Sequence, residues 1–125
     1  MSESAAITTM TPPWWFKLLC LAPILFVLCV YLEAAIAAAM LGHWPVPNLE
    51  DPKALPTAPL HVVATILLLS LPAGVVLVAV IVWRKGQGGH DRTPYWGWVG
   101  LLPMSWVIMY LVAHADVRTW SWWMD

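Results

Sequence analysis

Glu33 is the one carboxylate set inside an apolar stretch of this chain. It falls about 5 Å from the middle of a helix-length run, where an ionised carboxylate costs several kcal/mol unless paired. Such a group must be protonated, hydrated or bonded to a partner. Two kinds of chemistry fit: handling a proton or cation, or a structural hydrogen bond to another helix or a neighbouring subunit. No Lys or Arg lies at its depth, so an ion pair with either is not expected. The expected state is a neutral acid that donates to a helix carbonyl, such as one freed by a proline, or to a second subunit.

The four histidines are the other candidates for chemistry. His43, His61 and His114 fall near one end of the apolar runs, on the same side as Asp116 and the pair Glu50–Asp51. Three imidazoles with carboxylates at one depth could hold a metal ion if helix rotation brought them together. No pair has H-x-x-x-H spacing, and ordinary polar anchoring at an interface is the plain alternative. His114 could instead ligate a haem or a chlorophyll-type pigment. Tyr110, rather than a small residue, stands four positions before it, and Trp106, Tyr110 and His114 share one helical face as packing residues also do. No resident cofactor is therefore predicted, and pigment or haem binding is the alternative use of His114. His90 lies in a polar loop and is expected to be solvated. Cys20 and Cys29 lie about 13 Å apart along a helix, too far to bridge, and read as small buried apolar residues.

Three apolar runs must position these groups, at residues 18–41, 60–83 and 95–113. Each approaches the ~20 residues a helix needs to cross a bilayer. Lipid admits only helices or closed barrels, and runs without alternation are helices. The expected fold is all-α: an integral membrane bundle of three transmembrane helices with a Pro-rich outer loop. One membrane domain, 1–125, divides into a tail 1–13, a helix 14–41, an outer loop 42–59, a helix 60–83, an inner loop 84–94, a helix 95–116 and a Trp-rich tail 117–125. The first run is longer than a signal peptide's apolar core and carries Glu33 late. It is expected to remain as a span, although Ala35–Ile36–Ala37 has the small residues of a cleavage site.

Local signals set the boundaries. Thr57 or Ala58 can cap the second span, with Pro59 at its first position, and Thr93-Pro94 repeats that signal for the third. Pro23, Pro72 and Pro103 each interrupt a span and should leave a carbonyl without its helical partner. Nine tryptophans fall at interface depth and read as anchors: Trp14, Trp15, Trp83, Trp96 and Trp98 at one end, Trp44, Trp120, Trp122 and Trp123 at the other. The dense terminal run 120–125 is expected to lie flat on the membrane or to dock on another protein.

Hydrophobic residues make up 61% and charged residues 10% of the chain, which excludes an ordinary soluble domain. A net charge of −1 gives no footprint for nucleic acid. No nucleophile triad, phosphate loop, zinc motif or paired-carboxylate motif is present, so no enzyme is expected. Lys17, Arg84, Lys85 and Arg92 fall on one side and Lys53 and Arg118 on the other. That bias puts the amino terminus in the cytoplasm and the carboxyl terminus outside.

The outer loop carries a resemblance. Gly42-His43-Trp44-Pro45, followed by Asp51-Pro52-Lys53 between two spans, resembles a motif of uncharacterised small bacterial inner-membrane proteins. It covers the loop's first half and the 59–61 region. The resemblance implies a bacterial inner-membrane location and brings no assigned activity. Physically, Trp44 can anchor, the prolines shape the loop, and Asp51 can cap or pair with Lys53. Small multidrug exporters also embed a Glu in a first helix, but they resemble four-span proteins with short loops. Light-harvesting polypeptides resemble one-span chains with a central His.

The expected function is a non-enzymatic accessory or structural subunit of a larger inner-membrane complex, energy-transducing for example, in contact with lipids and other membrane subunits. The alternatives are an oligomeric proton- or cation-coupled transporter using Glu33, and a haem-, pigment- or metal-binding bundle. The orientation is directly measurable. In intact cells a membrane-impermeant thiol reagent should label Ser121→Cys and spare Ser2→Cys; the opposite pattern inverts the assignment.

Overall fold

The computed structural model describes residues 11–89 and 91–125, so the expectations for the 1–10 tail and for His90 lie outside the described residues. Among the described residues the structure is all-helical. Helix α1 is Trp14–Leu41, α2 is Ala58–Gln87, α3 is Thr93–Ala115 and a short α4 is Val117–Met124, with one 3₁₀ turn at Pro52–Ala54. The first three are long and apolar enough to cross a membrane. The chain is thus a multi-pass membrane bundle, as its apolar runs imply.

Helix ends follow local chemistry. Gly42 closes α1 with a φ of 76°, and its amide donates to the Ala38 carbonyl at 2.9 Å. That left-handed turn suits glycine, which has no Cβ to clash. Helix α2 outruns its apolar stretch and reaches Gln87, because Arg84 and Lys85 sit favourably at the negative end of the helix dipole. Its start differs from expectation in detail: Thr57 occupies the cap position, but its hydroxyl makes no capping bond. At α3 the cap position falls on Arg92, whose side chain makes no capping bond. Asp91, not Thr93, accepts the orphan hydrogen bonds, from the Thr93 amide at 2.9 Å and hydroxyl at 2.6 Å. Those two bonds hold the Asp91 carboxyl below its ordinary value.

Helix α1 is the centre of the bundle. Phe16, Cys20, Pro23, Phe26, Val30, Glu33, Ala34 and Ala37 are buried, spaced so that they form one helical stripe. The stripe serves two clusters. Towards the basic end, Phe16 and Cys20 pack with Val78 and Val82 of α2 and Tyr95 and Leu102 of α3. Towards the other end, Phe26, Val30, Ala34 and Ala37 pack with Ala64 and Leu71 of α2 and Trp122 and Trp123 of α4. Lipid is as apolar as leucine, so these contacts hold through close packing and polar links, not water exclusion. Ala34, Ala37, Ala64 and Gly74 supply the small surfaces that packing needs. Ser105 ties α3 to α1: its hydroxyl lies 2.7 Å from the Leu101 carbonyl and 3.2 Å from that of Cys20. Helix α3 buries only Tyr95, Leu102 and Ser105 and leaves most of its surface outside the bundle.

The terminal segment differs most from expectation. Residues 117–124 form α4, which turns back and packs on the bundle. Trp122 is fully buried and Trp123 nearly so, so neither is an interface anchor. Their positions explain this, since Thr119, Trp122 and Trp123 share one helical face and all three point inward. Trp120 is half-buried against the same cluster, 5.5 Å from the Phe26 ring centroid. Trp14, Trp15, Trp44, Trp83 and Trp96 remain exposed.

A hydrogen-bonded cap joins α4 to the 42–57 loop. Asp116 begins α4, accepting from the Thr119 amide at 3.2 Å and hydroxyl at 2.7 Å. The Tyr31 hydroxyl of α1 donates to the same carboxylate at 2.9 Å. Thr119 in turn accepts from the Trp44 indole at 2.8 Å, and Arg118 donates to the Trp44 carbonyl at 3.3 Å. Farther out, the Asn48 amide donates to Asp125 at 2.7 Å and Lys53 Nζ to the Asp125 carbonyl at 2.6 Å. Asp51 does cap locally, accepting from the Lys53 amide at 2.8 Å, while the Lys53 ammonium goes to the far segment. Pro45 and Pro52 are buried beneath this network.

Asp116 gives the cap a pH dependence. Burial alone would raise its carboxyl, but the Thr119 and Tyr31 hydrogen bonds and nearby Arg118 together hold it below its ordinary 3.8. A depressed carboxyl stabilises fully above its unfolded value and loses that contribution as pH falls through the folded value. Amide protection factors in 42–57 and 117–124 should therefore be constant above about pH 5 and drop below about pH 4. Asp116→Asn should lower protection at neutral pH, by no more than about 1 kcal/mol since the group is partly exposed, and flatten that acid dependence. Unchanged acid sensitivity in the variant would assign the effect to another group.

Candidate functional site

Beneath the cap, Glu33 is completely buried, and three elements converge on it. It sits about two turns inside the loop end of α1. His61 occupies the first turn of α2, and Trp123 comes from α4. The Trp123 indole donates to Glu33 Oε2 at 2.9 Å. His61 Nδ1 lies 3.2 Å from Glu33 Oε1. The two donor rings also touch each other, with centroids 4.9 Å apart and planes tilted by 35°.

No helix carbonyl bonds Glu33 among the described residues, which departs from the sequence expectation. Two nitrogen heterocycles of its own chain surround it. The reason is reach: the loop folds α2 back so that His61 and Glu33 lie at neighbouring depths, and α4 closes over both.

The arrangement restricts where a proton can be. An indole nitrogen only donates, so Oε2 is an acceptor in every state. A proton on Oε1 would face His61 Nδ1, which would then accept it. If Nδ1 carries the proton instead, the carboxylate is ionised. The pair can thus hold one proton on either member without changing its net charge. The alignment of this contact falls short of a good hydrogen bond, and neither Oε1 nor Nδ1 has another partner among the described residues. The Thr57 hydroxyl, one turn before His61, is also buried and unpartnered.

The three candidate metal histidines do not come together. His61 is engaged with Glu33, His43 lies 3.6 Å from Glu50 in the loop, and His114 Nδ1 lies 3.0 Å from the Tyr110 carbonyl. Among the described residues no group of three or more His, Cys, Asp or Glu is placed to hold a metal ion. The Tyr110 ring lies against His114 with centroids 4.0 Å apart and planes tilted by 34°. Within the loop motif, Gly42 ends α1, His43 and Trp44 bond to loop and α4, Pro45 and Pro52 are buried, and Asp51 and Lys53 hold the turn. Each of these motif residues has a visible structural task.

Sequence reasoning missed Trp123 as a ligand of Glu33. A signal existed: Asp116 three residues before Thr119 is a helix start, and a helix from there puts Thr119, Trp122 and Trp123 on one face. Comparison with protein-family models, with curated proteins and with solved structures finds no match to this chain.

The Glu33–Trp123 bond should be measurable as a coupling. Trp123→Phe keeps most of the ring and removes the donor, and should cost about 1–3 kcal/mol of stability in detergent. In a Glu33→Leu background the same change should cost far less, because the group it served is gone. Strict additivity of the two losses would show that the bond contributes nothing.

Proposed function

We propose that this chain is a non-enzymatic accessory subunit of a larger bacterial inner-membrane complex, with its amino terminus in the cytoplasm and its cap outside. The observation that carries the reading is the closure of Glu33. The one acid in the spans is fully buried and held by His61 and Trp123 of the same chain. A carboxyl so enclosed works as a clasp that fixes three elements, leaving the lateral faces of α2 and α3 as working surfaces. Helix α3 in particular keeps Met104, Val107, Ile108 and Leu111 outside the bundle. The Trp123 bond to Glu33 and the Asp116 cap fix α4 on the bundle, while the Thr57 hydroxyl and the Trp120 and Trp122 indole nitrogens stay buried without a partner among the described residues.

One observation favours a second reading, proton-coupled transport. The Glu33–His61 contact is a carboxyl–imidazole pair able to exchange a proton, and an intramembrane ionisable pair is a functional site by default. In that reading Trp123 and the cap form the outer gate.

Purification in mild detergent, with identification of co-purifying subunits, separates the two. A defined set of partner subunits that survives Glu33→Gln and is lost with Glu33→Leu supports the accessory reading. A lone homo-oligomer whose proton flux in vesicles disappears with Glu33→Gln, while its assembly stays intact, overturns it in favour of transport.

A further inference from the structure

At the end opposite the cap, α2 and α3 part. Both lean on α1 and touch each other little there, and a groove of about 660 Å³ opens between them. Its floor and walls are apolar: Val75, Val78, Val82, Val99, Leu102 and Pro103. Its mouth carries Arg92, flanked by Trp83 and Trp96. A separate hollow of about 330 Å³, on another face of the same end of α2, is bordered by Arg84 and Lys85.

The cations at this mouth are placed and unneutralised. The Arg92 guanidinium lies directly over Gly86 of α2, where any Cβ would collide with it. Lys85 Nζ stands 5.8 Å from the centre of the Tyr95 ring, and Lys17 Nζ 5.3 Å from that of Trp98, so aromatic faces hold both ammonium groups. None of Lys17, Arg84, Lys85 and Arg92 forms an ion pair among the described residues. Asp91, the one nearby acid among them, is occupied by the Thr93 hydroxyl and amide.

We infer that this groove is a binding site for an anionic glycerophospholipid. One acyl chain lies along the valine wall, and the phosphate sits at the mouth on Arg92, at the end of the bundle that also carries Arg84 and Lys85. Charge complementarity chooses the occupant. A groove that opens to lipid fills with an acyl chain at no cost, and unpaired cations at headgroup level select the anionic species. Gly86 then has a role, since its missing side chain lets the guanidinium rest across the end of α2 facing the headgroup. The site lies far from Glu33 and holds whether the chain is an accessory subunit or a transporter.

Native mass spectrometry of the full chain, released from nanodiscs with equal parts phosphatidylglycerol and phosphatidylcholine, tests this. One phosphatidylglycerol should be retained in preference to phosphatidylcholine. Arg92→Gln, on an exposed side chain, should reduce that preference about fivefold, the equivalent of ~1 kcal/mol for one cation facing an anionic headgroup. Gly86→Ala, which displaces the guanidinium without removing its charge, should reduce it in the same direction. Ala79→Phe, which fills the groove, should abolish retention of either lipid. Equal retention of the two lipids by the native chain, an unchanged preference in Arg92→Gln, or a protein segment cross-linking to Val78→Cys in place of lipid would each overturn the assignment.

Discussion

A carboxyl in hydrocarbon has no water to fall back on, and this bundle is organised around that constraint. Glu33 faces inward on the central helix, and its two oxygens are met by His61 and Trp123. Each partner comes from a different element, so satisfying one side chain fixes the docking of α2 and α4 on α1 together. Burying an acid is costly, and removing one partner of a buried pair leaves an uncompensated group. The same cost makes the arrangement specific. Few placements of α4 bring an indole N–H to one particular oxygen.

The two ends of the molecule are built on different principles. At the cap, polar groups are chained: Tyr31 to Asp116, Asp116 to Thr119, Thr119 to Trp44. These links join α1, α4 and the 42–57 loop, and the buried prolines Pro45 and Pro52 restrict the loop's freedom. At the basic end few such links exist. Aromatic and aliphatic packing around Phe16 and Tyr95, with rings 5.0 Å apart, holds α1 to α3, and the helices separate enough to leave an open seam. One end is closed by directional bonds, while the other depends on what the bilayer supplies.

The spans were legible because length and unbroken apolarity need no tertiary information. The three long helices fall where the runs of apolar residues put them, and α1 matches its expected bounds. Glu33 was also legible as the residue demanding an explanation. Its partners were less so. A one-dimensional pattern gives the depth of His61 but not the helix rotation that turns it towards Glu33. Trp122 and Trp123 were read as anchors because indoles at that depth usually are, and the eight-residue helix that turns them inward is too short for an apolar run to reveal. Its signature lay in capping and facing instead, at Asp116, Thr119 and Trp122–Trp123. The shift of the α3 capping bonds from Thr93 to Asp91 has the same character: both residues are good caps, and only the backbone path decides between them.

The donor that serves Glu33 lies 90 residues downstream of it. A ribosome therefore delivers the acid to the membrane long before it delivers the indole. Until α4 emerges, the first span carries a carboxyl that lacks its indole donor. Closure over Glu33 therefore follows the arrival of α4, and a chain stopped before residue 123 would leave the acid with His61 alone beside it in lipid.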